Sequence, residues 1–178
     1  MKRFLLVSLL CMAIAFLAPI AHAQKPIYGG SITIAQGVEP PGLDPTTATS
    51  TAIPRVVYSN VLEGLVKIDR KGKIAPALAK DLKISKDGKE YTFILKKGIK
   101  FHDGKSFDAE DVKFTFKRLM DPRTATAHPE YYKDIDSFQG RDNHTVKIKL
   151  KNVNSMFLFH LARPDSIIIN RQAVDKLK

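Results

Sequence analysis

Residues able to carry acid–base, nucleophilic or metal chemistry are few and scattered. His102, His128, His144 and His160 stand far apart, and His22 lies near the end of an apolar N-terminal stretch. No G-x-S-x-G segment presents a nucleophilic serine. No H-E-x-x-H pair sets two metal ligands on one helical face, and no glycine-rich loop has the spacing that cradles a phosphate. His102-Asp103 is the one adjacent pair that suggests a metal, but it lacks further ligands at coordination spacing. Asp103-Gly104 reads instead as a turn between Phe101 and Phe107. Cys11 is the only cysteine and belongs to the N-terminal stretch, so no disulfide or thiol chemistry is expected of the rest. The residue types therefore give no positive case for an enzyme, a cofactor or a metal.

The N-terminus has the three parts of a secretory signal. Lys2 and Arg3 form a basic start, Phe4 to Leu17 an apolar run, and Pro19 breaks it before Ala21-His22-Ala23. Small residues at −3 and −1 predict cleavage between Ala23 and Gln24. The run is too short for a membrane span, which needs about 20 apolar residues. Leu10 is not the small residue that precedes a lipidated cysteine. Removing 23 residues from the 178-residue chain leaves 155, enough for one domain with a core. Losing Lys2 and Arg3 lowers the net charge from +11 to +9. The remaining lysines and arginines are dispersed, without a run of five or six, and Lys147 and Lys149 read as a solvated strand face. Nucleic-acid binding is not expected.

The elements that must position any site follow from periodicity and punctuation. Ser31 to Ala35 reads as a short strand. Three prolines between Gly37 and Thr47 make a rigid extended loop. Ile53, Val57, Val61 and Leu65 recur at helical spacing, which predicts a helix over Ala52 to Leu65 with Pro54 in its first turn. Val66 to Ile68 is a short strand followed by a polar turn. Leu82 and Ile84, a turn at Lys86 to Lys89, and alternating Tyr91, Phe93 and Leu95 predict a hairpin. Asp108 is an N-cap with Asp111 at N3, and Phe107 and Val112 form a hydrophobic staple. Val112, Phe116, Leu119 and Met120 make the apolar stripe of that helix, which Asp121-Pro122 ends. Phe93, Phe114 and Phe116 are assigned to the core. Asp134 to Gly140 and Thr145 to Leu150 form a second hairpin. Ser155 to Arg163 is a short helix, Ser166 to Asn170 a strand, and Arg171 to Lys178 the start of a helix. The mix is α+β, without internal repeats. The chain reaches Lys178 inside a helical pattern with no cap or polar tail, which points to a truncated product.

Several stretches taken together resemble one family. They are LDPTTATS at Leu43 to Ser50, VLEGLV at Val61 to Val66, the long run from Lys73 to Pro122, and FLFHLARPDSIIINRQAV at Phe157 to Val174. The DG-x-x-YTF hairpin, the GIKFHDG turn and the AEDVKFTF helix occur in the family's order. The chain is similar to the extracytoplasmic solute-binding proteins of peptide-type ABC importers, family 5. Leu82 stands where the family usually has Trp, an apolar replacement that leaves the fold intact. The chain stops before the region where the family usually shows a Gly-rich strand.

The resemblance implies an α+β / α/β fold, the N-terminal portion of a two-lobed periplasmic-binding-protein type II fold with an extra subdomain. Residues 1–23 would be the signal. Within 24–178, lobe I would begin over about 30–51, the extra subdomain would span about 52–155, and the chain would return to lobe I over about 156–178, with lobe II absent. It implies capture of short peptides by lobe closure, with main-chain hydrogen bonding to the ligand and delivery to inner-membrane ABC permease subunits. Relatives that take nickel chelates, sugars, opines or haem-type ligands are alternatives, as is a truncated fragment that binds nothing. A monomer in the periplasm is implied, with no cofactor, no nucleic acid and no stable membrane insertion. The implied ligand-facing residues are Thr49, Ser50, Thr51, Ala52 and Ile53 before the first helix, with Tyr131 or Tyr132 as a second wall. Helix capping would equally explain the first group, and subdomain packing the tyrosines.

Overall fold

The helix that starts at Asp108 anchors the architecture because its N-terminus satisfies its own orphan amides. The Asp108 carboxylate accepts from the amides of Glu110 and Asp111, and the Asp111 carboxylate accepts from the Asp108 amide at 3.1 Å. The computed structural model describes residues 28–47, 50–124 and 126–175. In chain order the elements are α1 (Ala52–Val57), β1 (Val66–Ile68), β2 (Ile74–Pro76), β3 (Ala79–Ile84) and β4 (Glu90–Leu95). They continue with α2 (Ala109–Met120), β5 (Ile135–Asp142), β6 (Thr145–Leu150), α3 (Phe157–Leu161) and α4 (Arg171–Asp175). Single 3₁₀ turns occupy Pro122–Thr124, Pro129–Tyr131 and Pro164–Ser166.

The chain divides into two units, Met1–Ala35 and Gln36–Lys178. In the first, residues 28–35 are irregular and exposed, with Ile32 at 84%. The strand expected at Ser31 to Ala35 is therefore not formed there. An alternating segment becomes a strand only when its backbone groups find a ladder partner, and no pairing is made to it among the described residues.

In the second unit a four-stranded antiparallel sheet runs in the order β3-β4-β6-β5. Both predicted hairpins are formed and share the β4–β6 pairing. Alternation sends Tyr91, Phe93 and Leu95 of β4, and Val146, Ile148 and Leu150 of β6, to one face, all buried. α2 shares this core through Val112, Phe116 and Leu119. Phe116 packs on Tyr132 and Phe138, with ring centroids 5.9 and 5.8 Å apart. Phe93 and Phe116 are core residues as expected; Phe114 is only partly buried and lines an open groove, so its assignment is corrected.

The predicted helix over Ala52 to Leu65 is cut short. α1 ends at Val57 because Ser59 adopts a left-handed φ of 61°. Asn60 turns its side-chain amide back onto the carbonyls of Arg55 and Val56, which satisfies C-terminal acceptors of the helix. Ile53, Val57 and Leu65 are buried as their spacing suggested, but Val61 is 49% exposed. The chain then becomes extended through Gly64. A Cβ on Gly64 would lie 3.2–3.3 Å from the carbonyl oxygens of Leu161, Ser166 and Val66, so glycine permits the close backbone approach. β1 pairs with β2, a strand that periodicity did not indicate, across the expected turn at Asp69 to Lys73.

Two later elements also differ. The helix over Ser155 to Arg163 is reduced to α3. The strand expected at Ser166 to Asn170 is a 3₁₀ turn followed by extended chain, with one bridge from Ile167 to Gly64. One backbone bond, from the Ile168 amide to the Glu63 carbonyl at 2.9 Å, and side chains hold this segment in place of a ladder. Thr115 Oγ1, fully buried on α2, accepts from the Ile169 amide at 3.1 Å and donates to the Asp111 carbonyl at 2.8 Å. Arg171 lies 2.6 Å from Asp108 Oδ1 and 3.2 Å from Asp111 Oδ1, clasping α4 to the head of α2. α4 covers Arg171 to Asp175 of the expected helix; 176–178 lie outside the described residues. Among the described residues no helix is long and apolar enough to cross a membrane.

Candidate ligand-binding site

The loop before α1 is fixed by its own polar residues. Asp44 Oδ1 accepts from both the amide and the hydroxyl of Thr46, a turn typical of Asp. Arg118 on α2 then donates to Thr46 Oγ1 at 2.7 Å and lies 3.3 Å from Asp44 Oδ2. The Thr46 carbonyl accepts from the Ala127 amide at 3.1 Å. The LDPTT stretch is thus tied at once to α2 and to the loop that leads to Tyr131.

That tie brings three distant chain segments around one open cavity of about 220 Å³. Ser50, Thr51 and Pro54 come from the start of α1, Ala127 and His128 from the loop after α2, and Arg163, Pro164 and Asp165 from the turn after α3, with Pro45 at the side. Three prolines make the wall stiff and withdraw backbone donors from it. The volume falls below the roughly 300–1,000 Å³ of a complete small-molecule pocket, which suits one wall of a larger cleft.

The polar groups of the cavity are held in place. Tyr131 stacks on His160 at 4.2 Å and 10° and on His128 at 4.9 Å and 23°. The Arg163 guanidinium carbon sits 4.8 Å from the Tyr131 ring centroid, a cation–π geometry. Arg163 Nε donates to Asp165 Oδ1 at 3.0 Å. Asp165 is 4% exposed and accepts weakly, at 3.4 Å, from the Tyr132 hydroxyl, which also bonds Ser166 at 2.8 Å. Burial, then the charge of Asp165, pushes the Tyr132 phenol well above its usual range. Burial, then the nearby Arg163 charge, lowers the imidazolium pKa of His160, so its ring is readily neutral. His128 Nδ1 lies 3.1 Å from Glu130.

Of the residues expected from sequence, Ser50 and Thr51 line the cavity, and Tyr131 stacks on its His128 and Arg163. Thr49 lies outside the described residues. Ala52, Ile53 and Tyr132 have buried side chains that are not part of the lining. The Ala52 and Ile53 side chains are apolar and fill the core, and the Tyr132 hydroxyl is spent on Ser166 and Asp165, so packing corrects their expected ligand-facing role. His128, Arg163 and Asp165 were not singled out. The adjacent R-P-D triplet, an Arg and an Asp flanking a turn-forming Pro, was the signal available for two of them.

Two other open grooves are larger. One of about 440 Å³ runs beside Phe114, Lys117 and Arg123, and one of about 670 Å³ lies beside Lys80, Lys97 and His144. Neither gathers the segments expected to face a ligand. Among the described residues, no group of three or more His, Cys, Asp or Glu is placed to hold a metal. Asp103 of the His102-Asp103 pair instead accepts from the Lys105 amide and from Asn170.

A sequence profile described as bacterial extracellular solute-binding proteins, family 5 Middle, matches residues 73–178. The chain is 35% identical over 165 residues to the glutathione-binding protein GsiB of Escherichia coli K12, covering 93% of this chain and 31% of that protein. The chain thus spans about a third of the length of the curated relatives it matches. In structure it resembles Haemophilus influenzae OppA complexed with the peptide RPPGFSPFR, with a TM-score of 0.73, 26% identity, and coverage of 79% of this chain and 31% of that one. It also resembles the Agrobacterium tumefaciens binding protein AgaA in complex with agropinic acid, with a TM-score of 0.63, 34% identity, and coverage of 65% and 23%. The mixed α/β fold accordingly matches part of a periplasmic-binding-protein type II fold. The chain belongs to the family 5 bacterial extracellular solute-binding proteins.

Proposed function

We propose that this chain supplies one ligand-facing wall of the substrate-binding component of a peptide-type ABC importer. The observation that carries the reading is the convergence of Ser50–Thr51, His128 and Arg163 on one stiff, open cavity in a chain of this family. The ligand class is short peptides, as suggested by relatives that bind glutathione and a nonapeptide. Capture proceeds by closure of a second lobe, which the described residues do not contain, and the loaded form delivers its ligand to the membrane permease. The protein works in the periplasm as a monomer and binds its ligand without changing it. Lobe I comprises about 30–51 and 156–178, and about 52–155 form the extra subdomain.

Calorimetric titration of glutathione and di- to pentapeptides, free and with blocked termini, tests the assignment. Saturable heat with free peptides supports it. No heat with any of them, together with heat for an opine such as agropinic acid, would replace peptides by opines as the ligand class.

A further inference from the structure

One end of the four-stranded sheet collects lysines that stand apart in the sequence. Lys83 and Lys149 lie on the solvent side of β3 and β6, in register with Thr92 and Glu90 of β4. Lys86 and Lys89 belong to the β3–β4 turn, and the Lys89 carbonyl accepts from the Leu150 amide at 2.8 Å. That bond sets the turn against the end of β6. Lys151 follows there, and its Nζ donates to the Lys133 carbonyl at 3.3 Å. Among the described residues none of these six lysines has a carboxylate at ion-pair distance, whereas Lys147 is paired with Glu90 at 3.0 Å. With Glu90 so occupied, the acids of these segments are Asp87, Asp134 and Asp136, and six positive charges outnumber three negative ones.

Apolar side chains stand at the same end. Val153 lies against the turn, with a methyl 3.5 Å from where a Cβ on Gly88 would be. Ile84 is in register with Tyr91, whose ring packs on Phe157 at 4.9 Å, next to Met156 in the chain. Ile84, Val153 and Met156 are each at least half exposed. Apolar tips set among lysines suit the interface of an anionic bilayer, where the tips enter the headgroup layer and the ammonium groups meet phosphates. A protein partner fits less well. Protein interfaces favour aromatic residues and Arg and are poor in Lys, and residues 83–90, 133–136 and 149–156 include no Arg and, Tyr, Phe and Trp being absent as well, no aromatic residue.

We propose that this end of the sheet is a peripheral docking surface for a membrane rich in anionic lipid, with Ile84, Val153 and Met156 touching the headgroup layer and the six lysines facing lipid phosphates. The contact is reversible and spans nothing. None of these residues lines the cavity of Ser50, His128 and Arg163, so docking and ligand capture use different side chains.

The test is co-sedimentation with vesicles of phosphatidylcholine alone and of phosphatidylcholine with an equal part of phosphatidylglycerol. Binding is expected only where phosphatidylglycerol is present, and should weaken as salt rises. A lysine at an anionic surface strengthens binding about fivefold, so K83Q/K86Q/K149Q should bind about a hundredfold more weakly. K96Q/K97Q/K105Q removes the same charge at the other end of β4 and before α2, and should lose far less. All six positions are exposed, so the substitutions leave the core alone. The chain contains no Trp, so V153W is a single reporter. Its emission should be quenched by brominated lipid, and that of K97W should not. Equal loss in the two triple variants, equal binding to both vesicles, or quenching of K97W in place of V153W overturns the proposal. Binding that persists in K83Q/K86Q/K149Q and in high salt, as the apolar run Phe4 to Leu17 would give, overturns it too. No binding to either vesicle, with V153C crosslinking to a protein in intact cells, would replace the lipid by a protein partner.

Discussion

Replacing Thr115 by Val tests how the segment after α3 is held without a sheet ladder. Thr115 is fully buried, and its hydroxyl accepts from Ile169 and donates to the Asp111 carbonyl. Valine keeps the volume and branching, so cavity terms are small. The Asp111 carbonyl sits inside α2 and retains its helical role, which makes that lost bond the lesser loss. The Ile169 amide loses this acceptor, and an orphaned donor at a partly buried position costs about 1–2 kcal/mol. For a domain of this size about 2 kcal/mol corresponds to a fall in Tm of about 4–8 °C. Urea unfolding followed by circular dichroism measures the loss, and amide hydrogen exchange locates it. The Ile169 amide should lose protection before the β4 and β6 amides do. A T115V protein within about 0.5 kcal/mol of the parent, with Ile169 protected as before, would refute this account of the segment.

Other consequences follow from the same contacts. Burial pushes the Asp108 carboxyl upward, but hydrogen bonds from Arg171 and from the Asp111 and Glu110 amides outweigh it, leaving the pKa below the ordinary value. Its stabilisation is therefore present above the unfolded carboxylate pKa and lost as pH falls through the folded one. Asp111, raised by burial, works in the opposite sense and softens that loss; R171M should flatten the Asp108 part of the acid limb in a pH series of urea melts. His160, lowered by burial and Arg163, should cost stability as pH falls from 6.5 through its folded value, and H160F, which keeps a ring against Tyr131, should remove that slope. Gly64→Ala must push a methyl against three backbone carbonyls, and a loss of about 1–3 kcal/mol in the same melts is expected. An unchanged midpoint would show that the Gly64–Ile167 approach is slack.

Local signals carried most of the fold. The Asp108 box, the Asp121-Pro122 stop and both hairpins follow from side chains acting on their own backbone or on a strand close in sequence. The misreadings arise where distant contacts override periodicity. Ile53, Val57 and Leu65 are buried at helical spacing, yet Ser59 and Asn60 end α1 because the chain must then run beside Leu161 and Ser166. Ser166 to Asn170 has strand composition, but its amides go to Glu63 and Thr115. The candidate site was half legible. Ser50, Thr51 and Tyr131 came with the family pattern. Arg163 gains meaning only beside Tyr131 and Asp165, contacts made by folding, and 32 residues separate Arg163 from Tyr131 in the sequence.

On the proposed function, ligand meets this chain at Ser50, Thr51, His128 and Arg163. Amide shift mapping of the ¹⁵N-labelled protein during titration with glutathione and trialanine tests it most directly, because it locates even millimolar contacts. Saturable shifts confined to Ser50, Thr51, His128, Tyr131 and Arg163 are expected. Shifts centred on the groove of Phe114, Lys117 and Arg123, or on the groove of Lys80, Lys97 and His144, would contradict it.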